Sequence, residues 1–231
     1  MIYCISDIHG EIDRFHAMLD KIWFTSSDTL YVLGDVIDRK ESGVAILQEI
    51  MKMPNCKMLL GNHEYMCLNA MLNREEGATR LWKANGSSPT YRALKYKLSD
   101  EERESVLRFL LSLPDHADIA VGGKAYHLVH GWFGSDTYSR VWTRPTDFNR
   151  EDPFGNNFTM VVGHTPTPFL RPRDYSMLSD ADEFPPFSIF HATKWGGREF
   201  DFYDIDCGCG NETPLRRLGC LRLDDLQEFY V

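Results

Sequence analysis

Five short runs in this 231-residue chain place groups that bind metal ions or move protons just where an apolar stretch ends. "SDIHG" follows residues 2–6, "GDVIDR" follows 29–33, and "GNHE" follows 57–60. "HGW" follows 125–129 and "GHTPT" follows 159–162. Together they present Asp7 and His9, Asp35 and Asp38, Asn62 and His63, His130, and His164. Their donors are oxygens and imidazole nitrogens with no thiolate, a set that suits Mn, Fe, Zn or Mg better than a soft-metal or structural site. Taken singly, an Asp-x-His or a histidine at a strand end is more often a satisfied core or surface residue. Placement at five strand ends in order is what points to one site.

Such tips need strands and helices to hold them. "IYCIS" (2–6), "TLYVL" (29–33) and "KMLL" (57–60) read as strands. "EIDRFHAMLDKI" (11–22) carries Ile12, Phe15, Met18, Leu19 and Ile22 at helical spacing. "SGVAILQEIMK" (42–52) reads as a helix with Ser42 as its cap, and a third helix runs from about His63 to Leu72. This βαβαβ order predicts an α/β fold with a parallel sheet (α+β by a strict count). In open sheets of this kind, loops beyond the carboxyl ends of the strands converge on one crevice. Gly61 is expected to let the backbone turn out of its strand.

The middle of the chain is helical: "TRLWKANG", then 99–113, which opens on a serine-and-glutamate capping box. From residue 118 strands return, first as a hairpin turning at Gly122-Gly123, then at 158–163, 199–206, 220–224 and 227–231. Residues 166–198 read as a long loop insertion, with five prolines before Gly197 and no lasting periodicity.

Composition narrows the classes. A net charge of -9 argues against a binder of nucleic acid or of an anionic membrane surface. No apolar run approaches the roughly 20 residues that span a bilayer. "MIYCISDIHG" lacks the basic start of a signal peptide. Six sparse cysteines read as free thiols, so the expected location is cytoplasmic. Nothing in the residues speaks to oligomeric state.

The series "DIHG … GDVIDR … GNHE … VH … GHT" resembles the signature of the metallophosphoesterases, in their phosphoprotein phosphatase form. "DIDCGCG" is similar to that family's final Asp-x-Gly segment. "LWKANG", "AYHLVHGWF" and "VWTR" most resemble the small lambda-phage-type serine/threonine protein phosphatases of bacteria and phages. The resemblance implies a single calcineurin-like catalytic domain over 1–231, built as a four-layer α-β-β-α sandwich of mixed sheets with helices on the outer faces. It implies two divalent ions, Mn²⁺ first, with Fe or Zn as alternatives. Asp7 and His9 would hold one ion, Asn62, His130 and His164 the other, and Asp35 would bridge them. Such a pair, roughly 3.5–4 Å apart, holds a bridging hydroxide that attacks phosphorus in line, with no phosphoenzyme. His63 would be the general acid for the leaving alkoxide, with Asp38 orienting it. Arg39 and Arg144 would grip the phosphate, helped by Asn62, with Arg140 the fallback for Arg144. Glu64 would support the ligands or start the helix rather than bind metal.

Two positions depart from the pattern. Lys40 stands where a glycine is usual, and Gly131-Trp132 where Ala-Gly is usual, both expected near the substrate entrance. His16, His116 and His127 read as a helix face, a loop and the opposite face of the His130 strand. His191 falls in the long loop, where solvent exposure is the commoner reading. The implied activity is a metal-dependent phosphomonoesterase acting on phosphoserine or phosphothreonine proteins, with phosphotyrosine also open. The alternative is a dinucleoside tetraphosphate hydrolase or another small-molecule phosphoesterase. Asp38 before Arg39 favours the phosphatase, since nucleotide hydrolases of the family often lack that residue. A silent phosphoprotein-binding module is the third reading, and it would need a lost ligand or a lost His63.

Overall fold

Successive residues of the first strand, Ile2–Ile5 (β1), belong to different cores: Tyr3 and Ile5 pack against helices, Cys4 against a second sheet. Thr29–Val32 (β2) repeats this, with Leu30 and Val32 on one side and Tyr31 on the other. Side chains alternate across a strand, so a run that is apolar at every position must be covered on both faces. The unbroken apolar runs that precede the polar tips have that cause. The computed structural model describes residues 1–147, 157–170 and 187–231.

Among the described residues two mixed five-stranded sheets result. The first runs in the order Glu228–Tyr230 (β10), Gly219–Arg222 (β9), β1, β2 and Cys56–Met58 (β3). Its β1, β2 and β3 are parallel, as the βαβαβ pattern predicts, while β9 and β10 are antiparallel additions. The second runs His116–Val121 (β4), Lys124–Val129 (β5), Thr159–Val162 (β6), Arg198–Asp204 (β8) and Phe190–Trp195 (β7). Between the sheets lie Cys4, Tyr31 and Leu33 from one side, and Tyr126, Leu128, Val161 and Tyr203 from the other.

The outer face of the first sheet is covered by helices. Ile12–Lys21 (α1) inserts Phe15 and Met18, and Gly43–Ile50 (α2) inserts Val44, Ile46, Leu47 and Ile50. Burying each such side chain contributes about 1.5–3 kcal/mol. Asn62–Met71 (α3) follows β3 directly. Ala78–Ala84 (α4), Ser88–Arg92 (α5) with a π turn at Ala93–Lys97, and Asp100–Ser112 (α6) complete this layer. The outer face of the second sheet is sealed by Trp132, Met160, Phe200, Phe202 and Leu170. Thr137–Trp142 (α7) and a 3₁₀ turn at Thr167–Phe169 are the remaining elements among the described residues.

Several expectations change. The span 166–198 is not all loop: β7 lies within it and pairs antiparallel with β8, while 171–186 lie outside the described residues. Ser42 occupies the cap position of α2, but its side chain makes no capping bond. Gly61 has φ -96° and ψ 170°, ordinary extended backbone. It is glycine because a Cβ there would collide with Asp35. Trp132 is fully buried beneath the second sheet, not at an entrance. Among the described residues no helix is long and apolar enough to cross a membrane.

Candidate active site

The ends of five strands deliver the polar tips to one place. Asp7 and His9 follow β1, Asp35 follows β2, Asn62 opens α3 after β3, His130 follows β5, and His164 follows β6. Six of the nine non-glycine residues with positive φ among the described residues are Asp7, His9, Asp35, Asp38, Arg39 and His164. Each such conformation costs of order 1–3 kcal/mol unless its surroundings impose it. Backbone strain is therefore concentrated at the tips.

Asp35 lies at the centre. Its Oδ2 is 3.6 Å from His9 Nε2 and 3.8 Å from His63 Nε2, and its Oδ1 is 3.4 Å from His130 Nε2. His9 Nε2 is also 3.9 Å from Asp7 Oδ1. On the other side, Asn62 Oδ1 is 2.9 Å from His130 Nε2 and 3.0 Å from His164 Nδ1. Two groups, His9–Asp35–His63 and Asp35–His130–His164, bring their donor atoms within 4.8 Å of one another and share Asp35.

Each expected imidazole ligand has one nitrogen tied to a backbone carbonyl. His9 Nδ1 donates to Ile37 O at 2.9 Å, His130 Nδ1 to Leu33 O at 2.7 Å, and His164 Nε2 to Trp142 O at 3.1 Å. That pairing fixes ring orientation and turns the other nitrogen inward, the arrangement metal-binding histidines need. His9 Nε2 is buried with no hydrogen-bond partner among the described residues, an orphan that a cation would satisfy. Asp7 is supported in the same way: Oδ2 accepts from Ser6 Oγ at 2.5 Å and from His164 N at 3.0 Å. Donor types, orientation and spacing thus fit two hard or borderline divalent ions.

Electrostatics sort the group. Burial and the neighbouring His63 and Arg39 charges hold His9 well below the ordinary imidazole range. Burial and His130 push His164 down to about 3. Burial also opposes charge on His130, but Asp35, Asp7 and Glu64 win and push it up to about 10. Burial would raise Asp35, yet His130 and His63 hold its carboxyl well below the usual range. Burial raises Asp7. Burial, then Asp7, pushes Asp206 well above the usual carboxylate range.

His63 stands apart from the tethered rings. Its Nδ1 is 2.7 Å from Asp38 Oδ2, and both side chains are buried. Burial lowers its affinity for a proton, but Asp35 and Asp38 outweigh this and the ring is shifted upward. Arg39 is exposed at the rim, with Nη1 3.4 Å from Asn211 Oδ1. Lys40 beside it pairs with Glu212 at 2.6 Å. Arg144 is close enough to His164 to lower its proton affinity. Arg140 is committed elsewhere, donating to Asp115 at 3.1 Å. His16, His116, His127 and His191 pair with Glu49, Asp115, Asp118 and Asp201, away from the cluster.

Two residues support the site from behind: Glu64, expected to support the ligands or start the helix, and Trp82, whose task the sequence did not show. Glu64 is fully buried and accepts from Asp35 N, Val36 N, Ile37 N and Gly61 N at 2.8 to 3.3 Å. Burial and Asp35 push it up to about 7 against those four donors. Trp82, buried in α4, donates Nε1–H to Asp38 Oδ2 at 2.7 Å. The "GNHE" run held the signal for the first residue and "LWKANG" for the second, but partners 44 residues apart in sequence are not visible there.

The model of the family described as calcineurin-like phosphoesterase matches residues 1–195. A symmetrical bis(5'-nucleosyl)-tetraphosphatase from Acidovorax ebreus (strain TPSY) is 30% identical over 131 residues, covering 56% of this chain and 43% of that protein. The chain therefore spans less than half of that relative's length. A serine/threonine protein phosphatase structure from Saccharomyces cerevisiae superposes with TM-score 0.60 at 14% identity, over 100% of this chain and 78% of that one. A metallophosphoesterase structure from Sphaerobacter thermophilus gives TM-score 0.54 at 17% identity, over 99% and 86%. At these identities the structures share the fold.

Proposed function

The chain belongs to the calcineurin-like phosphoesterase family, and from that premise we propose a metal-dependent phosphomonoesterase acting on alkyl phosphates, phosphoserine and phosphothreonine proteins foremost. In this reading Asp7 and His9 would hold one divalent ion, Asn62, His130 and His164 would hold another, and Asp35 would serve both. Bound there, such ions supply Lewis acidity toward a phosphoryl oxygen and an activated water. Arg39 and Arg144 orient the phosphate through charge-assisted hydrogen bonds. His63 holds a proton at Nε2, and Asp38 fixes the ring through Nδ1.

The observation that carries the reading is the buried His63–Asp38 pair at 2.7 Å. An alkoxide is a poor leaving group and needs a proton in the transition state; a nucleotide leaving from an anhydride needs it far less. A second reading, a dinucleoside tetraphosphate hydrolase, has the Acidovorax relative's activity behind it. One assay separates them: phosphoserine, phosphothreonine and phosphotyrosine peptides beside diadenosine tetraphosphate, with Mn²⁺ and with chelator. Turnover of the phosphopeptides supports the first reading. Turnover confined to the dinucleotide replaces it with the second, and full activity after complete demetallation sinks both.

A further inference from the structure

Asp38 and Arg39 are consecutive residues with opposite tasks, and both have left-handed backbone, φ 72° and 66°. Neither is a glycine, so something must hold them there. The contacts come from one segment, the end of α4 through α5. Trp82 Nε1–H donates to Asp38 Oδ2 at 2.7 Å, the same oxygen that His63 Nδ1 meets at 2.7 Å. Asp38 N–H donates to Thr90 Oγ1 at 2.9 Å, and Arg39 N–H to Gly86 O at 3.0 Å. Gly86, at φ 89°, lies under the Arg39 side chain, where a Cβ would stand 3.3 Å from Arg39 Cγ.

The segment is itself fixed. Trp82 is 1% exposed and Thr90 2% exposed. Tyr91 packs its ring edge to face with the Trp82 indole at 6.4 Å. The segment holds Asp38 at two points: its backbone N–H donates to Thr90, and its Oδ2 accepts from the indole. Oδ1 is buried with no partner among the described residues, so the side chain's hydrogen bonds converge on Oδ2, where the Trp82 indole braces it opposite His63.

We propose that Trp82–Thr90 is a clamp on the Asp38–Arg39 pair, with Trp82 the positioning residue of the general acid. It acts through Asp38 and touches no reacting atom. The proposal rests on the general-acid reading of His63, and its test separates the two. Small displacements of a proton donor cost rate in proportion to how much the leaving group needs the proton. A loss of fold, by contrast, scales all substrates equally.

The test measures kcat and KM with Mn²⁺ for His63→Asn, Asp38→Asn, Trp82→Phe and the Trp82→Phe/Asp38→Asn double variant. Substrates are phosphate monoesters graded by leaving-group acidity, from serine phosphate through phenyl phosphate to p-nitrophenyl phosphate. Trp82→Phe is expected to lower kcat on the poorest leaving group by roughly 10- to 100-fold, with KM within about twofold. The fall on p-nitrophenyl phosphate should be several-fold smaller, and the double variant no slower than Asp38→Asn alone. The ratio of two kcat values on one preparation does not depend on its folded fraction. Equal losses on all substrates, or losses that add to those of Asp38→Asn, overturn the clamp. If Trp82→Phe yields no folded protein, Thr90→Val carries the same ratio test, and an unchanged ratio again overturns it. If His63→Asn shows no leaving-group dependence, or no monoester is turned over, the general-acid reading falls and the clamp with it. If His63→Asn shows it and Trp82→Phe does not, only the clamp falls.

Discussion

Glu64 organises the centre without belonging to it. Its two oxygens take four backbone N–H groups from the β2 and β3 tips, so one carboxylate sets the spacing of Asp35 and Asn62. Glu64→Gln keeps the shape but turns an NH₂ toward two of those donors. Each buried donor left unmatched costs about 1–3 kcal/mol, which at this chain length lowers Tm by about 2–4 °C per kcal/mol. Thermal unfolding checks it, and an unchanged Tm counts against the role. His130 makes a second residue-scale prediction. Its proton is held up to about 10 by Asp35 and Asp7, above the ordinary 6.5. The sign follows: this charge stabilises the metal-free protein fully below pH 6.5, and the contribution disappears as pH rises through about 10. A divalent ion needs the lone pair that the proton occupies. Uptake of Zn²⁺ or Mn²⁺ at pH 8 should therefore release a proton into weakly buffered solution, read with an indicator dye. No release at that pH would refute it.

Among the elements, periodicity made the helices and buried strands readable. Residues 11–22, 42–52 and 63–72 became α1, α2 and α3, each within two residues of its expected ends. The capping box at 99–102 formed, with Glu102 N on Ser99 Oγ at 3.2 Å and Ser99 N on Glu102 Oε2 at 2.8 Å. Ser99→Ala should cost about 1 kcal/mol, seen in thermal unfolding, with kcat unaltered because α6 carries no site residue; a change in kcat would count against that separation. β7 escaped notice because it is an edge strand, half-exposed along its length, with a bulge between Ala192 and Lys194. Its pairing partner, not its own pattern, makes it a strand. The same reason hid the tasks of Trp82 and Thr90, since only tertiary packing brings them to Asp38.

Across the whole molecule, charge burial is the dominant cost near the site. Asp7, Asp35, Asp38, Glu64, Asp204 and Asp206 are all buried. Uncompensated buried charge is strongly destabilising. Divalent cations would offset it, and would also join the sheets, since Asp7, His9, Asp35 and Asn62 extend from the first and His130 and His164 from the second. Chelation should lower Tm, and Mn²⁺ should raise it again in proportion to RT ln(1 + [M]/Kd), about 2.7 kcal/mol at 100 times Kd. Calorimetry with and without chelator decides it; identical curves would count against a metal centre shared by both sheets.

The pairing of β1 has a consequence for how the chain comes together in time. β1 is flanked by β2 on one side and by β9 on the other, with Tyr3 opposite Arg222 and Ile5 opposite Cys220. A growing chain therefore carries one bare edge of its first strand until more than two hundred residues have been made. Bare apolar edges recruit other strands, and contacts of such long sequence separation form slowly. Assembly of the first sheet is thus committed to late closure, and a chain that stops short of residue 219 keeps a central strand open to its neighbours.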